Sequence, residues 1–363
     1  MSKQYCQGCG AKIQTKNPEE YGYVPEAQLE RRPLLCQRCF RLNHYGLDEI
    51  GPVKAHDSLA SIRSGLNWST GVVLVVDLMD FEASLPKELL EIIGERQTIL
   101  AVNKGDLLPE QTPIKEIHRW VEKRLRDLSL PKARVHLISA VNGYGFPELA
   151  DGVEKLGPNV LFVGVTNVGK SSVLQRLLQM RIGGGKRHKV KPTISPYPGT
   201  TVQVSRWECP GGLILADSPG YVPQGRVSDL VAVECARELI PHRQLSSHLY
   251  PVQVGDLIHI PGLCGIECMD SAGQGLLLGF TGSGVRWHKS TIKHLDKWLY
   301  KYEGLCQVQN WGQKVIKLVP GQDAVISGLG WVSARKATFK LRVYLPQDVQ
   351  LTIRPNLIGQ KKF

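Results

Sequence analysis

The chain has 363 residues, of which 45 are basic and 33 acidic, so its net charge is +12 and its length suffices for two or three domains with separate cores. No run approaches the roughly 18–20 apolar residues of a membrane helix, and no signal or transit peptide is recognisable, so we expect a cytoplasmic protein without a membrane partner. The positive balance favours a polyanionic partner; charge that serves only solubility is the alternative.

Three segments differ in composition. Residues 1–50 carry 7 basic and 6 acidic side chains, net +1, and residues 51–230 carry 22 and 18, net +4. Residues 231–363 carry 16 and 9, net +7. We predict a domain in each segment, with most of the surplus positive charge in the last.

Two cysteine pairs mark the first segment. Cys6 and Cys9 form one C-x2-C pair, Cys36 and Cys39 form another, and 26 residues separate the pairs. Four thiolates at this spacing are typical of a closed structural zinc site, whose binding energy would replace the core that this segment lacks. We predict a four-cysteine zinc finger, with His44 as an alternative ligand.

The other five cysteines show no such pairing. In a cytoplasmic protein we expect them to be reduced packing residues and not a disulfide framework. They are Cys209, Cys235, Cys264, Cys268 and Cys306.

The second segment alternates strand-like and helical patterns, which predicts an α/β doubly wound sheet over residues 51–230. Helical spacing occurs at Pro113–Leu128 and Ser171–Met180, and Val202–Trp207 alternates as an edge strand does. The apolar runs predict buried strands at Val72–Asp77, Ile99–Asn103, Val135–Ser139, Leu161–Gly164 and Leu213–Asp217.

Asn103, Lys104, Gly105 and Asp106 follow a predicted strand in the pattern N-K-x-D. The Asp106 carboxylate can accept hydrogen bonds from N1 and the exocyclic amine of guanine, a donor pair that adenine lacks. Ser139-Ala140, after the next strand, is a second segment expected to contact the base. N-K-x-D alone is common on polar turns, but beside the phosphate motifs below it predicts GTP and not ATP.

The segment Gly164–Ser171 fits G-x-x-x-x-G-K-S between a predicted strand and a predicted helix. Such a loop directs backbone N–H groups at phosphates. Lys170 is expected to reach the β and γ phosphates, and Ser171 to ligate magnesium. A chance match is the alternative for the loop alone. The nucleotide contacts expected from the rest of this segment are Gly164, Asn167, Val168, Gly169 and Ser172.

Two further motifs complete the expected phosphate site. Thr201 is predicted to contact magnesium and the γ-phosphate, with Thr200 as the alternative. Asp217, at the end of a predicted strand, would hold magnesium through water, and the Gly220 N–H would bind the γ-phosphate. The basic stretch Gly183–Lys191 would either contact RNA phosphates or form a solvated loop.

Position 221 is a tyrosine, where Ras-like enzymes carry the glutamine that orients the attacking water. We therefore expect slow intrinsic hydrolysis, with catalytic contributions from Lys170, Thr201, Gly220 and Asn167. Asn167 would either help to hold a monovalent cation, potassium, beside the transferring phosphate, or only stabilise the loop.

The order of these motifs is unusual. The base-contacting segments precede the phosphate loop, whereas an ordinary GTPase begins with that loop. The order predicts a circularly permuted P-loop GTPase domain.

The third segment, residues 231–363, is predicted to be β-rich, with helices at Asp229–Leu239 and Lys289–Tyr302. Cations lie beside Trp287 and Trp331, where they would either bind RNA phosphates and bases or surround two core tryptophans. These cations, with His288, are Arg286, Lys289, Arg335, Lys336 and Lys340. The predicted strands are Leu257–Ile260, Leu276–Phe280, Lys314–Leu318, Ala324–Ser327 and Thr338–Val343.

With these motifs in place, the chain resembles the circularly permuted GTPases of the YqeH type over essentially its whole length. The resemblance implies a GTP-binding and GTP-hydrolysing assembly factor for the small ribosomal subunit, which binds rRNA or a pre-ribosomal particle when GTP is bound. It implies GTP or GDP, magnesium and structural zinc as cofactors, and no DNA partner is expected. The alternative is a protein-binding molecular switch, with the zinc finger and C-terminal domain as protein adaptors.

Overall fold

A computed structural model describes residues 13–16, 23–26, 29, 55–109, 112–130, 133–182, 204–241 and 243–359. The predicted zinc ligands Cys6, Cys9, Cys36 and Cys39, and the predicted switch residues Thr200 and Thr201, lie outside these ranges. The chain divides into two units: residues 1–76, 87–103 and 133–222 form the first, and residues 77–86, 104–132 and 223–363 the second. The predicted domain boundaries after residues 50 and 230 stay predictions.

The helices of the described residues are short to medium in length. They are α1 (Ala55–Trp68), α2 (Lys87–Ile93), α3 (Ile114–Asp127), α4 (Phe146–Glu154), α5 (Lys170–Ile182), α6 (Val233–Leu239) and α7 (Leu295–Trp298). Within the part of the chain that the structure describes, no helix is long and apolar enough to cross a bilayer.

A six-stranded sheet forms the centre of the first unit. Its strands are β1 (Gly71–Asp77), β2 (Thr98–Asn103), β3 (Arg134–Leu137), β4 (Asn159–Gly164), β5 (Ser205–Glu208) and β6 (Ile214–Asp217), in the spatial order β3-β2-β1-β4-β6-β5. The pairs β2–β3, β1–β4 and β4–β6 are parallel, and β5 runs antiparallel to β6 at the edge. The predicted parallel α/β sheet with an exposed edge strand is confirmed.

The apolar runs of β1 and β4 explain why these strands lie in the middle of the sheet. Every residue of β1 is buried, as are all residues of β4 after Asn159. Strands buried on both faces need helices on both sides, and α1 and α5 both contact β4. At Gly65 a Cβ atom would come 2.9 Å from the Leu161 side chain, so α1 needs a glycine at this crossing.

The second unit contains two five-stranded antiparallel sheets. Their orders are β16-β13-β14-β10-β7 and β11-β8-β9-β15-β12. One hydrophobic core includes Leu277 and Val332 from the first of these sheets and Ile266 and Leu341 from the second. The bounds are β7 (Ser246–Val252), β8 (Asp256–Ile260), β9 (Cys264–Ser271), β10 (Gly275–Thr281), β11 (His288–Thr291), β12 (Trp311–Leu318), β13 (Gln322–Ile326), β14 (Gly330–Lys336), β15 (Phe339–Pro346) and β16 (Leu351–Pro355).

Helix α3 is held within the second unit by aromatic and ionic contacts. The Trp120 ring meets Phe81 edge to face at 5.4 Å, and its Nε1 donates to the Pro355 carbonyl at 2.9 Å. Arg124 pairs with Glu82 at 3.0 Å. The helix is amphipathic, and these contacts use its apolar face.

The C-terminal strand predictions are confirmed, but the two helix predictions are wrong in extent. Residues 288–291 form β11, which pairs with β8, and only Leu295–Trp298 is α-helical in the predicted range Lys289–Tyr302. The pairing with a buried strand outweighs the weak helical spacing of this stretch. The helix predicted at Asp229–Leu239 is a 3-10 turn at Val227–Asp229 followed by α6.

The expectation that all unpaired cysteines are reduced is also wrong. A disulfide joins Cys235 to Cys306, across 71 residues of sequence. Connectivity of this kind carries no local sequence signal. Cys209, Cys264 and Cys268 are free and buried, as expected of packing residues.

The two candidate tryptophans of the C-terminal segment are core residues. Trp287 is 2% exposed and Trp331 is 1% exposed, and Trp331 stacks on Phe280 with the ring centroids 4.9 Å apart. The core alternative is therefore confirmed, because neither ring has a free face for a nucleic-acid base.

Candidate functional site

The loop between β4 and α5 has the backbone geometry that a phosphate cradle requires. Asn167 and Gly169 adopt left-handed conformations, with φ of 68° and 85°. At Gly164 a Cβ atom would come 2.7 Å from the Val75 carbonyl oxygen. Glycine at 164 and 169 therefore lets the loop turn tightly beside the neighbouring strand.

Lys170, Ser171 and Asp217 meet where α5 begins and β6 ends. The Lys170 ammonium donates to the Asp217 carboxylate and to the Ser218 carbonyl oxygen, and it is only 7% exposed. The Ser171 hydroxyl donates to Asp217 Oδ2 at 2.7 Å. Lys170 and Ser171 lie 47 and 46 residues before Asp217 in the chain, and both contact its carboxylate.

The oxygen donors at this point fit magnesium. A serine hydroxyl and a carboxylate are ligands that magnesium prefers, and it usually keeps waters and phosphate oxygens for the remaining positions. Within the described ranges, no group of three or more His, Cys, Asp or Glu side chains is arranged to hold a metal. A site that shares its magnesium with a nucleotide needs no such group.

Asn103 positions the phosphate loop. Its Nδ2 donates to the Val168 carbonyl oxygen at 2.9 Å, and its Oδ1 accepts the Ala140 N–H at 3.1 Å. A Cβ atom at Gly169 would lie 2.4 Å from Asn103 Nδ2, so a glycine is needed at 169 for this contact also. Asn103 therefore joins the phosphate loop to the Ser139-Ala140 segment.

The Ser139-Ala140 segment is held by its own backbone and by α5. The Ser139 hydroxyl accepts the Asn142 N–H at 3.1 Å, and the Ser139 carbonyl accepts the Gly143 N–H at 2.8 Å. Arg176 of α5 donates to the Ala140 carbonyl oxygen at 3.0 Å. Arg176 was not predicted from the sequence, because nothing in the motifs marks a helical arginine as a partner of this turn.

Lys104 and Asp106 belong to the second unit. Lys104 has a left-handed backbone, with φ of 69°, and its Nζ pairs with Asp77 at 2.7 Å. Asp77 also accepts the Met79 N–H at 2.9 Å, so it holds Lys104 from a fixed position. Asp106 lies in the turn Gly105–Leu107, half-buried, and among the described residues none pairs with its carboxylate. Asp77 was missed, although an acid that ends an apolar strand was a usable signal.

Gly220 and Tyr221 lie against the phosphate loop through their main chain. The Thr166 N–H donates to the Tyr221 carbonyl at 2.8 Å, and the Tyr221 N–H donates to the Gly164 carbonyl at 3.0 Å. At Gly220 a Cβ atom would come 3.0 Å from Thr166 Cγ2. The Tyr221 side chain is buried, and burial, with a smaller contribution from Glu88, raises the pKa of its phenol. The ring therefore stays neutral near pH 7 and offers no base for water.

Comparison with known proteins agrees with this geometry. Residues 159–254 match a family described as a 50S ribosome-binding GTPase. The chain is 28% identical to "Uncharacterized protein YqeH" of Bacillus subtilis, over 99% of this chain and 100% of that protein. It is 26% identical to "Putative nitric oxide synthase" of Oryza sativa (97% and 77% covered) and 25% identical to "NO-associated protein 1, chloroplastic/mitochondrial" of Arabidopsis thaliana (97% and 76% covered).

The phosphate loop, the lysine and acid that meet beside it, and the GTPase family match identify a GTP-hydrolysing enzyme that uses GTP or GDP with magnesium. The similarity to YqeH reaches beyond the matched 159–254 region. The chain is thus similar to the YqeH-type proteins over nearly its whole length.

Proposed function

We propose that this GTPase is a cytoplasmic assembly factor for the small ribosomal subunit, and that it binds rRNA or a pre-ribosomal particle when GTP is bound. The observation that carries the proposal is the convergence of Lys170 and Ser171 on Asp217 in a chain similar to YqeH over its full length. The surplus positive charge of residues 231–363 supports a polyanionic partner.

The matched family description names the 50S particle, whereas the proposal names the small subunit. The match covers only residues 159–254, which hold the phosphate machinery and little of the C-terminal unit. The part of the chain that selects a particle lies largely outside that match, so the preference for the small subunit rests on the resemblance to the YqeH type.

The proposed cycle uses the phosphate site as its sensor. Lys170 neutralises the β and γ phosphates, and Ser171 and Asp217, with Thr201, would hold magnesium, which supplies further positive charge when bound. The Gly220 N–H would donate to the γ-phosphate. Loss of that phosphate removes the contacts of Thr201 and Gly220, so these segments rearrange and the particle is released.

We propose also that the GTPase domain is circularly permuted. The phosphate loop follows β4, a central strand of the sheet. Three strands, β1 to β3, precede β4 in the chain. Asn103 ends β2 and Ser139 follows β3, and both come before the family match, which begins at residue 159. A join between the base-contacting half and the phosphate half gives this order without altering the sheet.

Two metal proposals remain. A zinc finger formed by Cys6, Cys9, Cys36 and Cys39 would stabilise residues 1–50. For Asn167, its left-handed backbone accounts for asparagine in the loop, and potassium binding is the additional role proposed. Equal GTPase rates in potassium and sodium chloride would contradict that additional role.

A salt titration separates the RNA proposal from the protein-adaptor alternative. The protein, loaded with GTP or GDP, is titrated against purified small-subunit rRNA at several potassium chloride concentrations. Contacts with several phosphates predict a steep linear fall of log affinity with log salt, of about 0.7–0.9 per contact, and tighter binding with GTP. Shallow salt dependence, or equal affinity in both nucleotide states, would favour the adaptor alternative.

A further inference from the structure

One short segment of the second unit contributes more than half of the net positive charge of the C-terminal residues. Between residues 286 and 301 there are five basic side chains and one acidic side chain, Asp296, a net +4 of the +7 carried by residues 231–363. Lys293, Lys297 and Lys301 are exposed, and among the described residues none of these three ammonium groups pairs with a carboxylate. Lys289 differs, because it pairs with Asp256 at 2.8 Å.

A stack of flat rings joins this segment to β8. His288 in β11 is the cross-strand neighbour of His259 in β8, with ring centroids 5.7 Å apart and planes 26° from parallel. Trp298 of α7 stacks on His259 at 5.1 Å and 24°. Burial, with a smaller contribution from His288, lowers the pKa of His259 to about 4. His259 is therefore neutral near pH 7 and supports two more accessible rings.

Residues near Trp298 in the sequence add a lysine contact with its ring and a further exposed aromatic side chain. The Lys297 ammonium lies 4.8 Å from the Trp298 ring centroid. Tyr300 is 46% exposed and meets Trp311 edge to face at 5.4 Å. Cations placed beside supported aromatic rings suit a ligand that has both negative charge and π faces.

We propose that this surface, composed of His288, Lys293, Lys297, Trp298, Tyr300 and Lys301, binds single-stranded RNA. The lysines contact phosphates, and unstacked bases pack on the exposed rings. An acidic protein would satisfy the lysines but would leave the rings without partners. The inference rests on the proposed function, because it gives the rRNA-binding role a location in the second unit.

The test compares two triple variants of the full chain with equal loss of charge. The first is K293Q/K297Q/K301Q, and the control is K115Q/K123Q/K317Q, which removes three exposed lysines elsewhere in the same unit. The probes are fluorescent oligouridine and purified small-subunit rRNA. The first variant should bind oligouridine at least about tenfold more weakly, with a salt slope smaller by about 2. The control should stay within about twofold of the wild type.

A second pair of variants tests the stacking. Trp298→Ala should weaken oligouridine binding by about tenfold, and Trp298→Phe should preserve most of it. Thermal unfolding and GTP binding of each variant check that the fold is retained.

Several results would overturn the surface. One is an equal loss of oligouridine affinity in both triple variants, and another is unaltered oligouridine binding by a folded Trp298→Ala variant. A third is displacement of oligouridine by polyglutamate at matched charge, which would indicate a partner recognised by charge alone. If the wild type binds rRNA while the surface variants bind it equally well, only this surface is wrong. If the wild type binds neither probe in any nucleotide state, the proposed function fails with it.

Discussion

At the scale of single residues, the hydrogen bonds that side chains already make within the protein indicate which of them could read the base of a nucleotide. Asn103 is occupied by the Val168 carbonyl and the Ala140 N–H, so its role is to position the two loops. Lys104 is fixed by Asp77. Among the described residues none pairs with the Asp106 carboxylate, and we propose that it reads the guanine base.

Asp106→Asn should shift the preference from GTP towards xanthosine triphosphate. The amide places a donor where guanine also has donors, whereas xanthine offers a carbonyl oxygen there, and an unmatched donor costs about 1–3 kcal/mol. GTP affinity should fall about tenfold or more in a competition assay between the two nucleotides. Asp151→Asn, at an exposed position of α4, is the matched control and should bind GTP normally. Unchanged GTP affinity in Asp106→Asn would mean that another residue selects the base.

At the scale of single residues, the sequence predicts the residues of the motifs better than the residues that bond to them and hold them in place. Lys170, Ser171 and Asp217 were predictable because phosphate and magnesium chemistry requires those residue types at those spacings. Arg176 was missed because its partner lies 36 residues away and no local pattern records a tertiary contact. Asp77 was missed although its position at the end of an apolar strand was a usable signal.

At the scale of elements, the segment Asp77–Pro86 places three acids in the second unit. Glu82 pairs with Arg124 and with the fully buried Arg354. Burial alone would raise the pKa of Glu82, but the two arginines outweigh it and the pKa is lowered. Asp80 differs, because its Oδ2 accepts the Gly328 N–H at 3.1 Å and burial raises its pKa to about 7, against the opposing effect of Arg226.

The Asp80 carboxyl predicts a pH-dependent stability. An unfolded aspartate ionises near pH 4, whereas folded Asp80 keeps its proton until about pH 7, so the folded state binds more protons between these values. Its contribution to stability is therefore complete below about pH 4 and is lost as the pH rises towards 7. Asp80→Asn cannot ionise and keeps an acceptor for Gly328. The variant should be more stable than the wild type by about 2–4 kcal/mol at pH 8, and this gain should shrink towards pH 5.

Urea unfolding of both proteins at pH 8 and pH 5 measures this difference. Asp348→Asn, at an exposed position of the same unit, serves as the control and should leave the free energy of unfolding unchanged at both pH values. A gain of equal size at pH 5 and pH 8 would show that ionisation of Asp80 is not its source.

Elements with continuous apolar runs were predictable, and elements defined by their neighbours were not. The runs of β1, β2 and β4 indicate buried parallel strands directly. The stretch from Lys289 onwards instead has Ile292, Leu295 and Leu299 at helical spacing, which favours a helix. Its first residues form β11 only because β8 is available as a partner. That pairing depends on tertiary structure, which a local pattern cannot contain.

At the scale of the whole molecule, nucleotide chemistry and surplus charge occupy different parts of the chain. The phosphate site lies in the first unit, and the lysine-rich surface of residues 286–301 lies in the second. Motif order and charge by segment predict that the phosphate motifs and the surplus positive charge lie in different segments of the chain. The location of the proposed RNA-binding surface was not predicted from the sequence. The cation clusters were assigned to Trp287 and Trp331, which are buried, and Trp298 was not singled out.

Co-sedimentation with ribosomal subunits tests directly whether this GTPase binds the small subunit in its GTP-bound form. The protein is mixed with purified small or large subunits under four conditions: with GTP, with a non-hydrolysable GTP analogue, with GDP, and without nucleotide. The amount of protein in each pellet is then compared. We expect the protein to pellet with the small subunit in the presence of GTP or its analogue. Much less protein should pellet in the presence of GDP or without nucleotide. Equal recovery in all nucleotide states, or preference for the large subunit, would contradict it.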